Sequence, residues 1–541
     1  MNSRIFNKTD KNCLKNSIFS LLILCLSTPA DALCWNIPTS ETIRQAIQEH
    51  KLVSYGLAGT AACTAATIGL LKTDIGATRI GDAPLYWNWD EIDATNVNFP
   101  KEFMFGVGTS SFQVEGECNN TDWWRWEEDE RSLVENRSGR ACDQQNKFKE
   151  DIKLLAELGV GIYRFSIAWD KVQPTPDRFD DNAIEHYKEM CRELAKYGIK
   201  AHIGFHHYTD PLWFADLGGF EREENIHYFA DYCRCVLQAF AQDPEVNNTV
   251  KLWSTFNSPS GYAFHKYLIG DFPPGIKNNK QLTLTVLKNM MEAHVQAYSA
   301  KQEVNPTAQL GILKNILQFD PWRSWHPMDN FACIIASKMT DECIFSFFTT
   351  GRFIAKIPFD NAPFMADVDY TNLKAPECLD FIGLNYYGHT YLKNMTRFLH
   401  PDEIPTQNPN YALYPEGLYR AICTIKEKIV DPITRVRNKH LPIYVTENGI
   451  ACPNPEHRLL FFTRYMYALH RARQEGTDVR GYIFWSFMDN YEWGSYAKKY
   501  GIVHIDFNSP DLKRTIKTDA GTQYFLHVIR KNRPTISCAQ N

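Results

Sequence analysis

From Asn96 onward the chain alternates between short runs of β-branched and aromatic residues and longer stretches with apolar residues every three or four positions. These are the periodicities of buried strand and amphipathic helix. Ile152, Leu155 and Leu158 share one face of a helix predicted over Asp151–Leu158, Gly159 ends it, and Gly161–Ser166 follows as a strand. The unit repeats. Ala183–Tyr197 is a helix stopped by Gly198 with the strand Lys200–Phe205 behind it, and the helix His227–Gln242 precedes the strand Lys251–Phe256. Phe105–Gly108, Leu310–Leu313, Phe381–Leu384, Ile443–Val445 and Gly481–Trp485 bring the strand candidates to eight, the number that closes a parallel barrel. No linker rich in Gly, Pro or Ser interrupts residues 96–535, so the pattern predicts one α/β domain, a (β/α)8 TIM barrel, with residues 536–541 as a tail.

The start of the chain is of another kind. Arg4, Lys8, Lys11 and Lys15 precede the uncharged run Ser17–Leu26, and Ala30-Asp31-Ala32 offers a small-x-small cleavage pattern. Residues 1–33 therefore read as a signal peptide or signal anchor. Residues 34–95 read as a linker holding a second uncharged stretch, Leu52–Leu71, whose 20 residues match the span of a transmembrane helix. Its Ala, Gly and Thr content fits a buried or interfacial helix equally well. If both segments insert, everything after Lys72 returns to the cytoplasmic side; if only the first acts, the barrel is exported. The expectation is membrane association through this region, with secretion as the alternative. Asn119, Asn136, Asn247 and Asn394 stand in Asn-x-Ser/Thr triplets, which do not decide between the two.

Composition narrows the function classes. With 44% hydrophobic residues, 22% charged residues and a net charge of −5, the chain is globular and has no basic excess for nucleic acid. Its 15 cysteines form no Cys-x-x-Cys or paired Cys/His pattern, so neither metal nor cofactor is implied. Those from Cys118 onward read as small buried hydrophobes, which favours a reducing compartment. In a parallel barrel the chemistry lies where strands end. Gln113, Arg164, His207, Asn257, Asn385 with Tyr387, Glu447 and Trp485 stand in or just beyond their respective strands. Polar and aromatic side chains at such a rim point to a polyhydroxylated small molecule.

Phe99-Pro100-x-x-Phe103-x-Phe105-Gly106, Ser110-Ser111-Phe112-Gln113-x-Glu115-Gly116, Tyr163-Arg164-Phe165-Ser166, Tyr444-Val445-Thr446-Glu447-Asn448-Gly449 and Trp485-Ser486-x-x-Asp489-Asn490-x-Glu492-Trp493 occur in this order. Together they resemble the signatures of glycoside hydrolase family 1, the family of the β-glucosidases and plant myrosinases. The resemblance implies a retaining hydrolase of O- or S-linked β-glycosides or oligosaccharides, using two carboxyl groups about 5–5.5 Å apart. Glu447 matches the nucleophile. The segment that carries the second carboxylate matches Thr255-Phe256-Asn257-Ser258-Pro259, which places Ser258 at the acid/base position. A serine hydroxyl has no proton-transfer pKa near neutrality, and the missing function typically contributes about 10²–10⁴-fold. Glycosides with good leaving groups are therefore the expected substrates, as for the myrosinases, whose segment also lacks this glutamate. Asp210 and His206 are candidate substitutes.

By the same resemblance Gln113, His207, Asn257, Glu492 and Trp493 hold sugar hydroxyls, Asn385 belongs with them to the substrate-binding set, Trp485 floors the glycone, and Tyr387 and Arg164 hold the nucleophile. Ala141-Cys142-Asp143-Gln144-Gln145-Asn146 departs from the family pattern, and the stretch after Trp493 is one residue shorter. Lys498-x-Tyr500 resembles a phosphate-gripping pattern, but Glu492 would repel a phosphate. The alternative to hydrolysis is a catalytically silent barrel that binds sugar or protein.

Overall fold

A computed structural model describes residues 84–356, 367–394 and 396–532. Its centre is a closed barrel of eight parallel strands: β1 (Met104–Gly108), β2 (Ile162–Ser166), β3 (Lys200–His206), β4 (Val250–Asn257), β5 (Leu310–Asn315), β6 (Ile382–Asn385), β7 (Ile443–Asn448) and β8 (Val479–Trp485). Each strand pairs with its neighbours in chain order, and β1 closes the ring on β8 in a register running from Met104 opposite Gly481 to Gly108 opposite Trp485. All eight predicted strands are barrel strands to within a few residues. The predicted helices appear as Gln144–Leu158, Asp181–Lys196 and Ile226–Ala241, packed outside the ring.

Inside the barrel, Ile162, Leu252, Leu313, Phe381, Tyr444 and Ile483 form one apolar cluster, so its lower half is solid. The opposite strand faces meet the helices in a much larger core. Long connections stay on the rim above the strand C-termini. Those after β5 and after β6 together form a small sheet of Gln318–Pro321, His389–Lys393 and Thr396–Phe398. Buried charge ties this sheet down: Asp320 accepts from Arg420 and from His389, and His389 also bonds Glu403.

The described residues before Asn96, from residue 84 on, are also engaged with the barrel domain. Tyr86 donates to Glu403 at 2.7 Å, while the Trp87 amide and the Trp89 indole both donate to Glu416. Arg471 covers the Trp87 ring. The ten cysteines among the described residues are free thiols, eight of them buried. No described helix is long and apolar enough to cross a membrane. The signal reading of residues 1–33 and the span Leu52–Leu71 both lie outside the described residues.

Candidate active site

At the top of β7 the pairing slips by a residue against both neighbours, between Val445 and Glu447 on the β6 side and between Val445 and Asn448 on the β8 side. Such a bulge re-aims one side chain without ending the strand, and Glu447 lines the rim pocket. The next residue but one fixes the turn that follows. A Cβ on Gly449 would lie 1.8 Å from the Trp485 carbonyl oxygen, so only glycine lets β7 turn this closely against β8. A second slip, between Ser254 and Asn257 of β4 against β5, brings Asn257 to the same pocket.

Glu447 is held at both oxygens. Arg164 donates to Oε1, and the Tyr387 hydroxyl donates to Oε2 at 2.8 Å. The guanidinium is buried and fully used: it also reaches the Thr446 carbonyl at 3.2 Å and Asn257 Oδ1 at 2.9 Å. Asn257 Oδ1 takes a second hydrogen bond from Asn385 at 2.8 Å, and Asn385 Oδ1 accepts from Thr446 at 2.7 Å. The carboxylate therefore sits at the end of a continuous network spanning β2, β4, β6 and β7. Burial, with the Glu447 charge adding to it, pushes the Tyr387 hydroxyl well above its usual range, so it remains a donor.

The pocket holds about 230 Å³. Trp485 and Trp493 form apolar surfaces, and the His207 ring stacks with both at centroid distances of 5.7 and 6.0 Å. Burial and the nearby Arg164 charge keep His207 neutral, well below the ordinary imidazole range. Its Nε2 lies 3.2 Å from Asn257 Nδ2. Glu492 Oε2 accepts from Gln113 at 3.1 Å and from the Trp485 indole at 3.4 Å. Burial raises its pKa to about 7; Lys498 opposes the shift and Glu447 adds to it.

Of the residues singled out in the sequence, Glu447, Ser258, Tyr387, His207, Asn257, Asn385, Trp485, Glu492 and Trp493 line this one pocket. Arg164 and Gln113 do not; they stand behind the wall, on Glu447 and Glu492 respectively. Ser258 has left-handed backbone (φ 48°) and stands at the N-terminal boundary of the helix Pro259–Phe264 without a side-chain cap bond. Its buried Oγ makes no well-formed hydrogen bond and lies beside the Tyr208 hydroxyl, the two meeting where a Cβ on Gly261 would project.

Asp210 and His206 are corrected by the structure as candidate substitutes. Asp210 accepts from His206 at 2.9 Å, Tyr262 at 2.5 Å and Lys266 at 2.6 Å, and it faces a separate cavity of about 280 Å³. Although burial disfavours its charge, Lys266 and His206 hold Asp210 well below the usual carboxylate range, while Asp122 on the other side of Lys266 is raised by burial to about 6. This is a structural ion cluster. The pocket also has walls that the motifs did not announce: Asn408, Asn410 and Tyr411 from the connection after β6, and His265 and Asp271 from the connection after β4. Among the described residues no group of three or more His, Cys, Asp or Glu is arranged to hold a metal.

Comparison with known proteins bears on the family and the fold. Residues 95–534 match the family model of Glycosyl hydrolase family 1. Beta-glucosidase A of Acetivibrio thermocellus is 27% identical over 471 residues, covering 81% of this chain and 99% of that protein. A solved β-glycosidase from Pyrococcus horikoshii superposes with a TM-score of 0.68 at 29% identity, over 81% of this chain and 96% of that one. The family 1 β-glucosidase from Thermotoga maritima in complex with isofagomine lactam gives a TM-score of 0.68 at 26% identity, over 81% and 99%.

Proposed function

Because the chain belongs to glycosyl hydrolase family 1, we propose that it cleaves β-glycosides by a retaining mechanism with Glu447 as nucleophile. The observation that carries this reading is a strand-end carboxylate clamped between Arg164 and Tyr387 beside an aromatic-walled pocket. Arg164 holds one oxygen of the carboxylate and Tyr387 the other, leaving a lone pair for the anomeric carbon. While the anomeric carbon has oxocarbenium character, the Glu447 carboxylate stabilises its positive charge, and that charge is neutralised as the glycosyl ester bond forms. Trp485 offers its face to the apolar side of the sugar ring. Glu492, His207 and Asn257 supply acceptors and donors for the hydroxyls, with Trp493 closing the wall. Gln113 acts through Glu492, and Asn385 through Asn257.

Ser258 stands where the family places its acid/base carboxylate, so the leaving group has no carboxyl proton donor. The substrates are β-glycosides, β-glucosides by default, and those with the best leaving groups depend least on a proton donor at position 258. That same serine supports a second reading, a sugar-binding barrel without turnover. Incubation with an activated 2-fluoro β-glycoside separates the two: intact mass should show a sugar adduct that Glu447→Gln abolishes. Sugar affinity without any adduct would favour the silent barrel. Ser258→Glu should raise turnover of poor leaving groups by placing a carboxyl donor at that position; an unchanged rate would refute the assignment of that position.

A further inference from the structure

The helix that starts at Ser258 carries a second protonatable group into the same pocket. Pro259–Phe264 is followed by the wider π-turn His265–Ile269, a distortion that often marks functional sites. His265 lies seven residues beyond Ser258, about 10 Å of helical rise. Side chains lean toward a helix's N-terminus, which directs the imidazole back toward the Ser258 end. Both residues line the pocket that holds Glu447.

The imidazole is oriented. Its Nδ1 lies 2.8 Å from Asp271 Oδ1, and its ring stacks on Phe272 at 4.5 Å. Phe272 in turn packs on Trp493 at 5.5 Å and on Tyr208 at 5.7 Å, the ring beside Ser258. The loop closes on itself: the Gly270 and Phe272 amides both donate to the His265 carbonyl. With Nδ1–H given to Asp271, Nε2 is the nitrogen available to a substrate. The pair is 33% and 37% exposed, enough to exchange protons with water. Other ionisable groups on the wall are placed differently. Tyr387 is spent on Glu447, Glu492 on Gln113 and Trp485, and Lys498 lies by Glu492.

We infer that His265, oriented by Asp271, is the proton donor and acceptor that serves the Glu447 reaction in place of a carboxyl group at 258. This rests on the nucleophile assignment above. In the first step a Glu447 oxygen bonds the anomeric carbon, the glycosidic C–O bond breaks, and the proton on His265 Nε2 passes to the departing oxygen, directly or through one water. In the second, neutral Nε2 takes a proton from water as its oxygen attacks the anomeric carbon and the Glu447 ester bond breaks. The imidazolium is restored and one water is consumed.

The test compares His265→Gln, His265→Gly and Asp271→Asn in the full chain against aryl β-glucosides of graded leaving ability. His265→Gln should still form the 2-fluoro sugar adduct on Glu447, while steady-state turnover falls by about 10² or more, most for the poorest leaving groups. Imidazole added to His265→Gly should restore turnover, and azide should divert the intermediate to a β-glycosyl azide. Asp271→Asn should show a smaller loss of the same kind. Wild-type turnover in His265→Gln across the series would overturn the inference, as would a His265→Gly loss that imidazole leaves untouched, or a wild type that releases a single burst of aglycone from the unfluorinated aryl glucosides and then stops. Failure of the nucleophile reading is seen separately, as no adduct in any variant.

Discussion

Glu492 supplies a quantitative check on how this pocket is built. Burial moves its pKa from 4.5 to about 7 although Lys498 pulls the other way. A shift of that size corresponds to about 3 kcal/mol against the ionised form. The folded state therefore binds a proton that the unfolded chain has already released between pH 4.5 and about 7. Stability must fall as pH rises through this window, and the slope must vanish above it, where both states are ionised. Glu492→Gln removes the titration but keeps an acceptor for Gln113 and Trp485, so contributions from all other groups cancel in the comparison. Urea unfolding of both proteins from pH 4.5 to 7.5 should show the variant gaining on the wild type by up to about 3 kcal/mol, with no further gain beyond pH 7. Parallel stability curves would refute the reasoning and show that the carboxylate is solvated in the pocket.

Three further perturbations address other parts of the architecture. Tyr387→Phe removes the 2.8 Å hydrogen bond to Glu447; a bond to a charged group is worth about 1.5–3 kcal/mol, so kcat/KM should fall roughly 10–100-fold with an unchanged circular dichroism spectrum. Asp210→Asn strips one of two carboxylates from buried Lys266 and should cost about 3–5 kcal/mol in denaturant unfolding; a cost below 1 kcal/mol would mean that Asp122 alone suffices. Gly449→Ala forces a Cβ into the Trp485 carbonyl, and the expected outcome is loss of soluble folded protein in expression trials, which normal yield would contradict.

What could be read from the sequence was whatever is fixed to a strand. The eight apolar runs are continuous in the chain, and a side chain at a strand's end inherits its position from the barrel. Glu447, Asn257 and Asn385 could therefore be assigned to one rim before any coordinates. The β7 bulge that aims Glu447 left no comparable pattern. His265, Asp271, Asn408 and Tyr411 lie on connections whose course is set by tertiary packing, and no periodicity marks loop residues. Asp210 misled for the converse reason: its chain position beside β3 suggested the pocket, but its partners Asp122 and Lys266 come from 88 residues before it and 56 after. Gln113 was placed in the right neighbourhood but one layer too far forward, since it stands behind Glu492. Spacing gives the neighbourhood of a side chain and says nothing of what stands in front of it.

The seam between β1 and β8 bears on the order of folding. Gln113, just past the first strand, bonds Asn490 across 377 residues and shares Glu492 with the last strand's Trp485. A nascent chain emerging from the ribosome can pair β1 with β2 early, yet one flank of β1 stays open until nearly the whole domain has been synthesised. Ligand binding would thus be the final property acquired during biogenesis, and a ribosome-stalled chain ending before Trp485 would lack it however much of the sheet had already assembled.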